Sequence, residues 1–168
     1  MSGAPAGNER PGICGACGGE CCLARPGIEA PERFLAAADP VAGLARALRS
    51  RDWLLLRHVG VPWVDGRPPA EADRYRTILY PRPATVEERA SGGPFAGAER
   101  SPCVFLGPAG CALPYSGRPR MCRELEPSAA GDCETAWDQR SAALAWLPFQ
   151  DLVGRALALA PGALVQKG

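Results

Sequence analysis

"CGACGGECC", residues 14–22, sets four cysteines in nine positions. Thiols this crowded form disulfides, make a redox switch, or ligate zinc or iron. A second group follows, Cys103, Cys111, Cys122 and Cys133, and the 80 residues from 23 to 102 hold no cysteine at all. Cysteines that merely fill a core would not gather this way. The Cys14-x2-Cys17 spacing lets two sulfurs converge on one ion in a tight turn. Gly15, Gly18 and Gly19 allow the positive φ that aims backbone N–H groups at sulfur. The spacing points to a metal and leaves zinc and iron both open. Adjacent side chains point in different directions, so Cys21 and Cys22 serve two metals, or one ligates while the other packs. A strained vicinal disulfide, a redox switch, is the alternative.

The rest of the composition narrows the setting. A chain of 168 residues, 46% hydrophobic and of net charge +1, is expected to be one globular domain with loose ends. Near-neutral charge gives no electrostatic footprint for nucleic acid. Residues 1–12 are polar and rich in Gly and Pro, without an apolar h-region, and read as a disordered leader. The longest apolar stretch, 142–160, is interrupted by Pro148, Gln150, Asp151 and Arg155, so no membrane span is expected. A cytoplasmic location follows as the expectation. Thiols stay reduced there, which favours metal over disulfide.

Along the chain, Asp39 and Pro40 mark a helix start, with Val41, Leu44, Ala45 and Leu48 on one face. Residues 53–59, WLLLRHV, suit either a helix extension or a buried strand, ending at Gly60-Val61-Pro62. Residues 65–74 read as a loop or hairpin connection, 75–80 as a strand ending at Pro81, and 81–101 as a long ordered loop. A helix is expected from Asp132 to Leu147, ended or kinked by Pro148, then another over about 149–160. The fold class expected is small and helix-rich, mainly α, with α+β and a short hairpin as the variant. One cysteine-cluster domain would cover 13–160, with 53–101 as an insert and 161–168 as a tail.

Eight thiolates carry eight negative charges, and two divalent ions would neutralise only half. Cations and N–H donors must meet the remainder. Arg100, Arg118, Arg120 and Arg123 stand beside Cys103 and Cys122 in the sequence.

Taken together, the two groups resemble the YkgJ-like cysteine-cluster family, the CxxCxxCC zinc- or iron-chelating domain. The resemblance rests on Cys14, Cys17, Cys21 and Cys22, on Cys103-Val104-Phe105-Leu106 with Gly110-Cys111, and on Arg118-Pro119-Arg120-Met121-Cys122-Arg123. Cys133 would be the eighth cysteine. The match runs from about residue 13 to 133 and departs at Pro114, where tyrosine is usual. It implies a chelated zinc or iron, with an iron–sulfur cluster as one form. The eight cysteines would be ligands, Arg118 and Arg123 would offset thiolate charge, and Pro119 would fix the approach to Cys122. A related cysteine-rich segment occurs in flagellin lysine methylases, so an iron–sulfur enzyme in methyl transfer or redox chemistry is an alternative. A zinc-stapled adaptor with a protein partner is another.

His58 is the single histidine and reads as structural beside Leu54–Leu56. Glu87-Glu88 reads as a solvated pair, and Glu124 and Glu126 as surface groups. The four tryptophans, Trp53, Trp63, Trp137 and Trp146, read as core. A metal that staples both cysteine groups would loosen the whole domain when lost.

Overall fold

A computed structural model describes residues 22–23, 26–94, 97, 100–108, 110–126 and 133–166. Cys14, Cys17 and Cys21, the expected leader and the Asp132 cap lie outside the described residues.

Leu54, Leu55 and Leu56 follow Trp53 without a polar break, and all four are buried. Such a run is a strand covered on both faces, which periodicity alone does not separate from a helix. It forms β1 (Trp53–Val59). Strand β2 (Thr77–Pro83) pairs with it antiparallel, from Trp53↔Pro83 to Val59↔Thr77. Strand β5 (Leu164–Val165) pairs on the other side, parallel, at Leu54 and Leu55. The order β2-β1-β5 makes a mixed sheet at the centre of the core. The fold is therefore small and α+β, the variant the sequence allowed, and not mainly α. Residues 53–83, read as part of an insert, supply two of its strands, and the stretch read as a tail supplies the third.

Helix α1 (Glu32–Leu35) is a single turn that sends Phe34 inward. Helix α2 (Pro40–Arg49) starts where expected: the Asp39 carboxylate accepts from the Ala42 N–H at 2.9 Å, and Leu44, Ala45 and Leu48 are fully buried. Strand β2 starts two residues later than expected and runs three residues past Tyr80. The Pro81 carbonyl accepts from the Glu29 N–H at 3.1 Å, so that residue's polar edge faces away from β1 and its missing N–H breaks no ladder bond. The expected loop after it contains helix α3 (Val86–Ser91). A capping box starts that helix: the Glu88 N–H donates to Thr85 Oγ1 at 3.2 Å and the Thr85 N–H to Glu88 Oε2 at 2.8 Å. Glu88 is buried, not solvated, because Arg82 grips it through two bonds of 2.9 and 2.5 Å.

Helix α4 (Arg120–Glu124) is followed by α5 (Gln139–Trp146), which starts later than the helix expected from Asp132, residues 133–138 being non-helical. Asp138 caps α5, accepting from the Ser141 N–H at 2.8 Å. That bond holds the Asp138 carboxyl below the usual carboxylate range. Pro148 sits in a single 3-10 turn, Leu147–Phe149, that leads into α6 (Gln150–Ala158). Gln150 clasps the outer edge of β2, accepting from the Leu79 N–H at 2.9 Å and donating to the Leu79 carbonyl at 3.0 Å. Trp146 is fully buried, with Phe34 at 6.1 Å and Phe149 at 6.5 Å between ring centres. Trp53 and Trp137 are buried as expected, but Trp63 is 57% exposed, so its reading as core is corrected. No helix among the described residues is long and apolar enough to cross a membrane.

Candidate metal centre

Five of the eight cysteines are described. Cys103 bridges to Thr85, the cap residue of α3, and its N–H donates to the Cys22 carbonyl at 2.7 Å. One backbone bond thus ties the first cysteine group to the second across the 80 intervening residues. After Cys103 the chain turns, with the Leu106 N–H donating to the Cys103 carbonyl at 2.9 Å. It then forms a two-rung hairpin, β3 (Leu106–Gly107) and β4 (Gly110–Cys111), which places Cys111 opposite Leu106. Gly110 takes φ of +100°, which the tight connection requires. Phe105 anchors this hairpin to the core through Trp53, 6.1 Å away.

Cys122 sits on α4 (Arg120–Glu124). Pro119 precedes it in extended conformation, and the Arg123 N–H returns to the Pro119 carbonyl at 3.1 Å. The Cys122 sulfur lies directly on Gly27: a Cβ added there would run into it and would stand 3.2 Å from the Cys122 backbone nitrogen. Gly27 is therefore a cradle that only glycine leaves open. Next to it, the Met121 N–H donates to the Ile28 carbonyl at 3.1 Å. Cys133 leads into the short bridge between Glu126 and Glu134. Cys22 thus meets Cys103, and Gly27 and Ile28 meet Cys122 and Met121.

Glu29 fixes this meeting, and nothing in its sequence neighbourhood announces it. Its side chain is fully buried. One carboxylate oxygen accepts from the Ala30 N–H at 2.9 Å and the Arg120 N–H at 3.0 Å, which pins the first turn of α4. Arg33 approaches the other oxygen at 3.4 Å, and Arg123 lies 3.9 Å from the first. The Glu29 carbonyl accepts from Trp146 Nε1 at 2.9 Å. Burial pushes the carboxyl above its ordinary range, against the pull of the two N–H donors and the two guanidiniums.

The arginines divide their work. Arg118 donates from Nε to the Leu113 carbonyl at 3.3 Å and lies over Tyr115 at 5.8 Å. Tyr115 in turn donates its hydroxyl to the Arg123 carbonyl at 2.8 Å. Arg120 pairs with Glu124 at 2.7 Å and stacks 4.1 Å over the Trp137 ring. Two buried N–H donors near α4 have no partner among the described residues, Arg123 Nε and Trp137 Nε1. Sequence reasoning singled out Arg123 but placed Trp137 in the core.

His58 lies apart from these groups. It stands opposite Ile78 in the sheet and lines a surface pocket of about 350 Å³ with Trp63 and Pro68, with no cysteine in its wall.

The donor set is soft and rich in sulfur, which suits zinc or iron over magnesium or calcium. The glycine cradle and the unpartnered N–H groups suit thiolates that must be closely approached and electrostatically offset. Among the described residues, no three His, Cys, Asp or Glu side chains converge tightly enough to hold an ion. No family model, no curated protein and no solved structure matches this chain. The fold is that of a small α+β protein in which Cys22 meets Cys103 and Gly27 meets Cys122.

Proposed function

We propose that the protein chelates zinc or iron through its cysteines, with Cys14, Cys17, Cys21, Cys22, Cys103, Cys111, Cys122 and Cys133 as the ligand set. The observation that carries this reading is the junction of the two cysteine groups. Cys22 is bonded through its backbone to Cys103, and the Cys122 sulfur is seated on Gly27, five residues beyond Cys22. The motif resemblance to the YkgJ-like family supports the same chemistry. Eight thiolates can close two four-coordinate sites, the arrangement of a structural or electron-carrying centre. Bound zinc would supply a rigid cross-link, and bound iron with sulfide an electron store.

The test is metal and sulfide content with a visible spectrum, on protein purified without oxygen. Zinc at about two per chain, without colour, supports the closed structural centre. Iron with sulfide and broad brown absorbance supports the iron–sulfur form and brings redox or methyl-transfer chemistry forward. Protein lacking both metals, with thiols silent until reductant is added, overturns the reading in favour of disulfides.

A protein partner is a second reading, favoured by one observation. Trp63 and Tyr75 are 57% and 79% exposed within a short stretch, 59–75, that also exposes Val59 and Val64. A photo-reactive residue at position 63 should crosslink one protein species in the source cell. Crosslinks spread over many abundant proteins would end this reading.

A further inference from the structure

We propose that Trp137 Nε1–H and Arg123 Nε–H are hydrogen-bond donors to the thiolate sulfurs of the bound centre; this rests on the metal reading above. Buried N–H groups in folded proteins are rarely left unpaired, and each unpaired one carries its full desolvation penalty. Two occur among the described residues. Trp137 is only 7% exposed, and its indole nitrogen has no acceptor among the described residues. Arg123 Nε is buried without an acceptor among the described residues, although the same guanidinium lies 3.9 Å from Glu29.

Both residues adjoin cysteines. Arg123 follows Cys122 directly on α4, and Trp137 stands four residues beyond Cys133. The Arg120 guanidinium, on the same short helix as Arg123, lies 4.1 Å over the Trp137 ring. A neutral thiol is a weak acceptor, whereas a metal-bound thiolate is a strong one. Loading the metal deprotonates the sulfurs. The acceptor these donors lack then comes into being, and the N–H groups offset part of the surplus negative charge. The donors are unsatisfied in the metal-free chain and satisfied in the loaded one.

Opposite effects on the two forms make this testable. The experiment uses the full reduced chain, zinc alone for affinity by chelator competition, and cobalt alone for the thiolate charge-transfer spectrum. Trp137→Phe keeps a ring under Arg120 and removes the N–H. We expect the metal-free variant to resist urea as well as wild type. We expect its zinc affinity to fall about 10- to 100-fold, with a shifted cobalt band. Arg123→Lys keeps the charge near Glu29, removes the fixed Nε–H, and should lower affinity in the same direction. If either variant weakens the metal-free and loaded forms equally, that residue is structural and its assignment fails. If wild type binds zinc and both variants bind it as tightly, the donor assignment fails while the metal reading stands. If wild type binds neither metal, both fall together.

Discussion

The sheet-centred half and the cysteine-bearing half are held by different means. In the first, α2, α5 and α6 close over β1 and β2 with fully buried Leu44, Leu48, Leu54, Leu55, Ile78 and Trp146. In the second, β3 and β4 have two residues each, and five-residue α4 buries no side chain fully. Apolar burial stabilises the first half at about 25 cal/mol per Å². The second half has little of that term, and its elements are too short to persist by propensity. What holds it is a set of specific joints: the Cys22–Cys103 backbone bond, the Glu29 carboxylate, the Trp53–Phe105 contact and, on our proposal, the metal.

Metal removal should separate the halves most strongly, because a structural zinc contributes about 10 kcal/mol or more to the folding of small peptides. After chelation, amide exchange should accelerate across 103–126 and stay slow in β1 and β2. Uniform acceleration would mean the halves are one cooperative unit, as the sequence reading expects. Next in size is Trp146→Ala, which empties the largest buried site and breaks the bond to the Glu29 carbonyl. It should lower stability by about 3–5 kcal/mol in urea unfolding, with or without metal. A loss below about 1 kcal/mol would show that the apolar half is not the stronger one.

Gly27→Ala probes the seam. Its Cβ needs the space of the Cys122 sulfur, so the variant should lose about 1–3 kcal/mol and bind zinc less tightly. Unchanged zinc affinity would place Cys122 outside the ligand set. The smallest effect belongs to Glu29→Gln, at about 1 kcal/mol or less near neutral pH. The folded state raises the Glu29 pKa, so its protonated form is the favoured one. That stabilising term is present below the unfolded-state pKa and is lost as pH rises through the folded one. Stability of the glutamine variant should therefore fall less over that rise than wild type's. Parallel pH curves in urea titrations would deny Glu29 this role.

Local features were legible where a local cause sufficed. The Asp39-Pro40 start of α2 is one such case, and the Thr85-x-x-Glu88 signature of α3 was present but masked by its polar surroundings. The strand nature of 53–59 was not legible, since a run buried on both faces carries no period. Glu29 was invisible because its burial depends on α4, 91 residues away, delivering the Arg120 N–H. Trp63 misled because residue type says nothing about whether a loop folds back over it. The cysteine pattern was plain in the sequence, whereas the junction between its two groups needed the tertiary fold.

The clasp of Gln150 on Leu79 has a colloidal consequence. Strand β2 is an outer strand of the sheet, and an open outer strand is a template for pairing with another molecule. Here the Leu79 polar groups are taken by Gln150, the Pro81 carbonyl is taken by Glu29, and Pro81 and Pro83 lack N–H groups. A crowded solution of this protein finds no free row on that border to extend. Loss of the Gln150 clasp would uncover the Leu79 groups and show first as turbidity in a concentrated solution.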